Sequence, residues 1–224
     1  MKFHRLVPDA IAGRSPVRRA ALMVALAAAL AVAGCSLTRP APVKQTYLLD
    51  PPPPPAVAKA QPTSMRVGVV NVAVPFRGRS FVSREPDLRY ETDFYSEFLV
   101  PPPTMLTELT ARAIEQSHAF ARVVPAGAIG SADWTLDGFA SALYADARDG
   151  KAFAAELAIS YYLFAGDGGG IPVWTRDYQR RVPMTAPTSQ AYAAALNIAL
   201  GQIFADLARD LAAADFKPGS ASTR

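Results

Sequence analysis

The sequence predicts an α+β fold in which an antiparallel sheet, a meander plus N-terminal strands, packs on two main helices. Three consecutive segments between residues 133 and 182 place apolar side chains mostly at every second position, and turns containing glycine separate them. Two other segments, 104–118 and 188–213, repeat apolar residues at helical spacing. Because one face of such a sheet needs a cover, we expect both helices on the same face.

The chain begins with a secretory signal. Five basic residues precede an apolar run over residues 20–33, and small residues lead to Val32-Ala33-Gly34-Cys35. This string resembles the lipobox of bacterial lipoproteins, which implies cleavage before Cys35 and a diacylglycerol on its thiol. Several acyl chains anchor a protein far better than one chain does. An ordinary signal peptide with a chance cysteine is the alternative, and the apolar run falls short of the roughly 20 residues of a membrane span.

The charge of the mature chain is balanced. The whole chain has 23 Lys and Arg against 19 Asp and Glu, but five of the basic residues and one acidic residue lie within residues 1–34. The remaining 18 of each sign give no basic patch, so we do not expect nucleic acid as a partner. Cys35 is the sole cysteine, and its acylation would leave neither a free thiol nor a disulfide.

Residues 35–64 read as a lipidated tether and a proline-rich linker, with a short strand at 46–49 and a stiff spacer at Pro51–Pro55. Residues 65–214 form the folded domain, and residues 215–224 are expected to be disordered. Five prolines can also be a ligand for a partner's aromatic groove, which is the other interpretation of Pro51–Pro55.

The first half of the domain contains strands and one helix. A valine-rich strand at 65–74 precedes a hairpin of strands 80–84 and 88–92 around a Pro-Asp turn. The helix is expected over 104–118, with Thr104 as its N-terminal cap, and a strand follows at 120–124.

The second half is the meander and the last helix. Strands are expected at 133–145, 151–165 and 171–182, with Asp149-Gly150 as a two-residue hairpin turn. Thr188 or Ser189 caps the last helix, whose apolar stripe packs on the sheet or, alternatively, forms a partner-binding heptad.

No catalytic or metal-binding constellation stands out, and we expect no enzyme activity and no cofactor. The mature chain has one histidine, His118, at the predicted end of a helix, where it suits capping. No G-x-S-x-G elbow is present, and one histidine with scattered carboxylates lacks the ligand spacing of zinc.

The order of these motifs resembles a known family. The lipobox, the valine strand ending in Pro75, the Arg-Ser-Phe-Val-Ser-Arg segment at 79–84, the string Tyr95-Ser96-Glu97-Phe98-Leu99, the meander and the C-terminal helix are similar to the ABC-type transport auxiliary lipoproteins, including the PqiC-type members. The resemblance implies a non-catalytic periplasmic lipoprotein that accompanies an MCE-domain protein and its ABC permease and ATPase in the transport of phospholipids or other apolar molecules. Ser36, rather than Asp, follows the cysteine, which implies the periplasmic face of the outer membrane.

We predict the partner surface in the hairpin region, at Arg77, Arg79, Phe81, Arg84, Phe94 and Phe98. A solvated hairpin face is the simpler interpretation of the arginines. Two other functions stay open: a carrier that holds a lipid or lipopolysaccharide in its own cavity, and a structural factor for envelope assembly. The number of copies also stays open, a homo-oligomer included.

Overall fold

The computed structural model describes residues 43–125 and 128–215, together with residues 17, 20, 21 and 23. Cys35 and the expected tail from residue 216 onward lie outside the described residues. The elements are β1 (Gln45–Tyr47), β2 (Gln61–Val72), a 3-10 turn (Val74–Phe76), β3 (Ser80–Arg84), β4 (Tyr90–Phe98), α1 (Pro102–Ser117), β5 (Phe120–Val124), β6 (Trp134–Asp146), β7 (Ala154–Ala165), β8 (Trp174–Pro183) and α2 (Ser189–Ala213).

Strand β6 organises the sheet. One of its edges pairs with β7 in antiparallel fashion, and β7 pairs with β8, which confirms the antiparallel order expected for the meander. Its other edge is shared, because β2 pairs with its first half and β3 with its last two residues. From there β2 leads to β5, while β3 leads to β4 and β1. The sheet therefore divides along this edge of β6 into two branches, one with β2 and β5 and the other with β3, β4 and β1.

The sheet is mixed, so the expectation of a purely antiparallel sheet is corrected. The pairs β1–β4, β2–β5, β2–β6 and β3–β6 are parallel. Parallel neighbours need a long crossover, and the stretch containing α1 supplies it between β2 and β5. The strand–helix–strand order at this point of the sequence was the signal for parallel pairing.

Both helices cover one face of the sheet. On that face Thr110 of α1 hydrogen bonds to Tyr161 at 2.9 Å, and the Tyr178 hydroxyl donates to Asp210 of α2 at 2.9 Å. The rings of Tyr161 and Tyr178 touch, with centroids 6.1 Å apart. Length and composition would let α2 cross a membrane, but 67% of its apolar window is buried in this packing. It is a core helix, as the sheet-packing interpretation expected.

Several boundaries differ from expectation. Helix α1 begins at Pro102, and Pro101 at its cap makes no side-chain hydrogen bond, so Thr104 is not the cap. Thr188 does cap α2, because its hydroxyl accepts from the Ala191 N–H at 3.2 Å. The β6–β7 connection spans residues 147–153 rather than two residues, although Gly150 still has the positive φ of a tight turn.

Much of the expected linker packs on the folded body. Leu49 is in the core, and the Val57 N–H donates to the Ser117 carbonyl at 2.9 Å. Pro52 lies so close to Gly201 of α2 that a Cβ there would sit 2.7 Å from the proline ring. The amide of Gln61 donates to three carbonyls at the end of α2, those of Leu211, Ala212 and Ala214, at 2.7–3.2 Å.

Candidate functional site

One concave site is a groove between the β3–β4 hairpin and the N-terminal end of α2, which we call the hairpin groove. Its volume is about 300 Å³. Its apolar lining residues are Phe81, Val82, Ala145, Ala147, Phe153, Met184, Pro187 and Tyr192. Three acidic residues, Glu85, Glu91 and Asp93, also line it. The groove thus combines an apolar floor with an acidic rim.

Tyr192, one of the residues that line the groove, has a buried hydroxyl without a hydrogen-bond partner among the described residues. The residue is 2% exposed. Burial raises the pKa of this phenol, so it stays neutral. Its ring packs edge-on against Phe81 at 5.1 Å. An unpartnered buried hydroxyl is costly, which marks this end of the groove as incompletely satisfied.

Asp93 joins the rim to α2. Its carboxylate accepts from the Tyr95 and Ser96 N–H groups at 2.8 and 3.1 Å and from the Ser189 hydroxyl at 3.0 Å. Burial acts to raise its pKa, but these hydrogen bonds prevail and the pKa lies below its ordinary value. Asp93 is therefore ionised and uses its oxygens within the protein. Glu85 and Glu91 are the remaining rim charges, and Glu91 has only the exposed ion pair with Arg89 at 3.1 Å.

A second polar region lies on the opposite face of the same strands, and we call it the arginine cluster: Arg84, Arg148 and Arg181 around Asp146, Glu156 and Tyr144. Arg148 donates to the buried Asp146 through two nitrogens at 2.9 and 2.7 Å, and Arg181 pairs with the same carboxylate. The hydrogen bond from Arg148 holds the pKa of Asp146 well below its usual range. The cluster neutralises most of its own charge.

Strand alternation separates the two regions. Ala145 and Ala147 line the groove while Asp146 between them belongs to the cluster. In β3, Ser83 and Glu85 line the groove while Arg84 between them lines the cluster. Because successive side chains in a strand point to opposite faces, one short stretch serves both sites.

The fold buries two of the six residues that were predicted to form a partner surface and leaves the other four at least partly exposed. Phe81 and Phe98 are buried, at 4% and 2% exposure, with ring centroids 4.6 Å apart. Phe98 is therefore not exposed to a partner, and Phe81 can be reached only from the hairpin groove that it lines. Rings from distant parts of the chain enclose Phe81, those of Tyr47 and Tyr192, which is why local sequence did not reveal its burial.

The other four predicted residues reach the surface in different settings. Phe94 is 77% exposed, and Arg77 is exposed without a polar contact among the described residues. Arg79 pairs with Glu97 at 2.7 Å, and Arg84 lies over the rings of Tyr90 and Tyr144 at 5.7 and 5.9 Å. The structure therefore brings Arg84 into the cluster and leaves Phe94 apart from it.

The acidic side chains and His118 do not form a metal-binding cluster within the described part of the chain. Among the described residues, no three His, Cys, Asp or Glu side chains come together as metal ligands. His118 is exposed at the end of α1 in a left-handed backbone conformation, and its backbone N–H donates to the Glu115 carbonyl. This is the helix-end position that the sequence predicted.

Comparison with known proteins gives one family. The model of the ABC-type transport auxiliary lipoprotein component family matches residues 47–208. No curated protein sequence matches the chain.

Solved structures show the same fold. Protein XCC0632 from Xanthomonas campestris is 20% identical with a TM-score of 0.65, and the match covers 73% of this chain and 92% of that one. An uncharacterized protein is 18% identical with a TM-score of 0.58, over 75% and 99% of the two chains. Lipoprotein GNA1162 from Neisseria meningitidis is 14% identical over 68% and 100%, and its TM-score of 0.35 carries no structural argument.

Proposed function

The chain belongs to the ABC-type transport auxiliary lipoprotein family, and from that premise we propose that it links an MCE-domain ABC transporter of lipids to the outer membrane. In this proposal Cys35 carries the acyl anchor, and the folded body is a periplasmic adaptor without catalytic activity. The observation that carries the adaptor role is the hairpin groove, with its apolar floor and its Glu85 and Glu91 rim.

The groove favours a partner of definite chemistry. An apolar floor accepts an apolar side chain, and carboxylates at the rim attract a cation. The occupant is therefore a segment of the MCE-domain protein that presents an apolar residue next to Lys or Arg. Such a contact buries the anchor side chain and uses the charge pair mainly for orientation and for the rate of encounter.

At the hairpin groove the carrier alternative is less well supported than docking of a protein. A volume of about 300 Å³ is at the lower end of the roughly 300–1,000 Å³ that holds drug-sized ligands. A phospholipid with two acyl chains is larger than such ligands. The groove therefore fits a few side chains of a protein better than it fits the lipid itself.

Crosslinking in intact cells tests the proposal. A photo-crosslinking amino acid replaces Glu91 at the rim, and a matched variant carries it in place of Thr175, which is exposed on the opposite face of the sheet. We expect the MCE-domain subunit to be captured from position 91 and not from position 175. Capture of wall or barrel-assembly proteins alone would favour the structural alternative and reject the transport role.

The anchor has its own test. Cys35→Ser should release the protein from the membrane fraction, because no acyl chain can then be attached. A mutant that stays in the membrane pellet after a high-salt wash would refute the anchor while leaving the groove contact to be judged by the crosslink.

A further inference from the structure

Five exposed apolar side chains lie in or next to β1 and β4, close to the point where the described part of the domain begins. We call this set the edge patch: Val43, Leu48, Phe94, Tyr95 and Leu99. β1 is an edge strand of the sheet, and it pairs with β4 through Gln45 opposite Ser96 and Tyr47 opposite Phe98. The Leu99 N–H continues the ladder to the Tyr47 carbonyl at 2.8 Å. The patch therefore runs along both ends of one short ladder.

The two aromatic rings of the patch are held outward by a bulge. Ser80 of β3 pairs with Glu97 and Val82 pairs with Thr92, so β4 has extra residues between these positions. The carboxylate of Asp93 fixes this excess through the N–H groups of the two residues that follow Phe94. The Phe94 and Tyr95 rings pack edge-on at 5.2 Å. Two large exposed rings in a fixed geometry lose little conformational entropy on binding.

The tether places this edge near the membrane. Seven residues, 36–42, separate Cys35 from Val43, and they span at most about 25 Å when fully extended. A body of this length has a diameter of roughly 40 Å from its radius of gyration. A tether shorter than the body keeps the β1 side within reach of the bilayer and holds the opposite side away from it.

We propose that the edge patch lies against the phospholipid surface of the membrane that carries the anchor. The inference rests on the proposed lipidation of Cys35. Aromatic and aliphatic side chains bury apolar area at the boundary between headgroups and acyl chains, where Tyr and Phe are well suited. Charge has a minor part, because Lys44 and Arg79 at this edge share the carboxylate of Glu97, which leaves one net positive charge. The contact is therefore mainly apolar, and we expect it to depend only weakly on salt.

Fluorescence quenching tests this placement in the lipidated full chain. Phe94→Cys and, as a control, Ile171→Cys each introduce one thiol for a bimane label, since the sole native cysteine is acylated in the proposal. Ile171 is 89% exposed in the loop between β7 and β8. This loop lies beside the first residues of β6, whereas β3 pairs with the last residues of that strand. The labelled proteins are reconstituted into vesicles of phosphatidylethanolamine and phosphatidylglycerol that contain spin-labelled lipid.

We expect the label at position 94 to lose most of its emission and the label at position 171 to keep its emission, at low and at high salt alike. Equal quenching at both positions, or none at position 94, overturns the inference. If the label at position 94 is not quenched and a photo-crosslinking amino acid at the same position captures a protein in cells, the patch binds a protein partner instead. Labelling of the unsubstituted protein reveals a free Cys35 thiol, which rejects the anchor, and the tether argument with it.

Discussion

The hairpin groove and the arginine cluster use alternate residues of the same strands, yet they treat charge in opposite ways. In the cluster, Asp146 is almost fully buried and receives two guanidinium groups, those of Arg148 and Arg181. In the groove, Glu85 has no ion pair among the described residues, and Glu91 pairs only with the exposed Arg89 at 3.1 Å. The arginine cluster therefore pairs its charges within the protein, while the hairpin groove keeps carboxylates at its exposed rim.

This difference separates stability from recognition. Buried carboxylates with hydrogen-bonded arginines contribute to folding, because removing one partner leaves uncompensated charge. Exposed carboxylates contribute little to folding and remain free to orient a partner. We therefore expect substitutions in the cluster to change the free energy of unfolding, and substitutions in the groove to change binding.

The largest effect is expected for Asp146→Asn. The change removes the negative charge that Arg148 and Arg181 share, and it should lower the free energy of unfolding by about 2–3 kcal/mol. Both arginines are partly exposed, which keeps the loss below that of a fully buried pair. Urea unfolding measures the change, with the turn variant Asp149→Asn as the control. A loss no larger than that of the control would contradict the structural role of the cluster.

Acid should reveal the same carboxylate. The folded-state pKa of Asp146 is depressed from an ordinary value of 3.8, so its contribution is complete above that value and is lost as pH falls further. The free energy of unfolding of the wild type should therefore decline below about pH 4. The decline should be shallower in Asp146→Asn, although Asp93 and Asp133 share the direction of the shift. Parallel pH profiles for the two proteins would reject this explanation.

A pair of hydroxyl deletions sharpens the comparison at a smaller scale. Tyr161→Phe breaks the buried hydrogen bond to Thr110 and should lower the free energy of unfolding by about 1 kcal/mol or more. Tyr192→Phe removes a hydroxyl without a partner and should leave stability equal or raise it by up to about 1 kcal/mol. Thermal and chemical unfolding compare the two. Equal losses would mean that the groove hydroxyl is satisfied after all.

The smallest effect on stability is expected at the rim. The double substitution Glu85→Gln with Glu91→Gln should change the free energy of unfolding by less than about 0.5 kcal/mol, since both side chains are at least partly exposed. Capture of the MCE-domain subunit by the crosslinker, placed for this purpose at Ser189 beside the rim, should fall. The matched change of the exposed Asp177 to Asn on the opposite face should leave capture unchanged. Unaltered capture in the rim variant would separate the groove from the docking role.

The sequence predicted the positions of the strands and helices better than it predicted which strands pair with each other. Alternation and turn residues located the meander, and the apolar stripe located α2, because these patterns are local. The pairing of β2 with β6 joins Met65 to Trp134 across the hairpin and α1. Such pairing depends on how distant segments meet, and no local periodicity records it.

The candidate site was predictable in part, for the same reason. The exposure of Phe94 agrees with the pattern of strand and turn, whereas the use of the hairpin region as a partner surface stays a prediction. The burial of Phe81 depends on Tyr47 and Tyr192, which come from distant parts of the chain. The bulge that turns Phe94 and Tyr95 outward depends on Asp93, whose carboxylate could equally have been read as an ordinary strand residue.

The contacts of the proline segment have a mechanical consequence in the proposed role, in which the protein links two membranes. A pull on the proposed anchor would reach the described residues at Val43 and would be resisted first by the three paired residues of β1 and then by the contact of Pro52 with Gly201. Only after these yield does the load reach Gln61, whose side chain ties β2 to the end of α2. Under tension, residues 43–60 would detach first and lengthen the tether before the central strands separate.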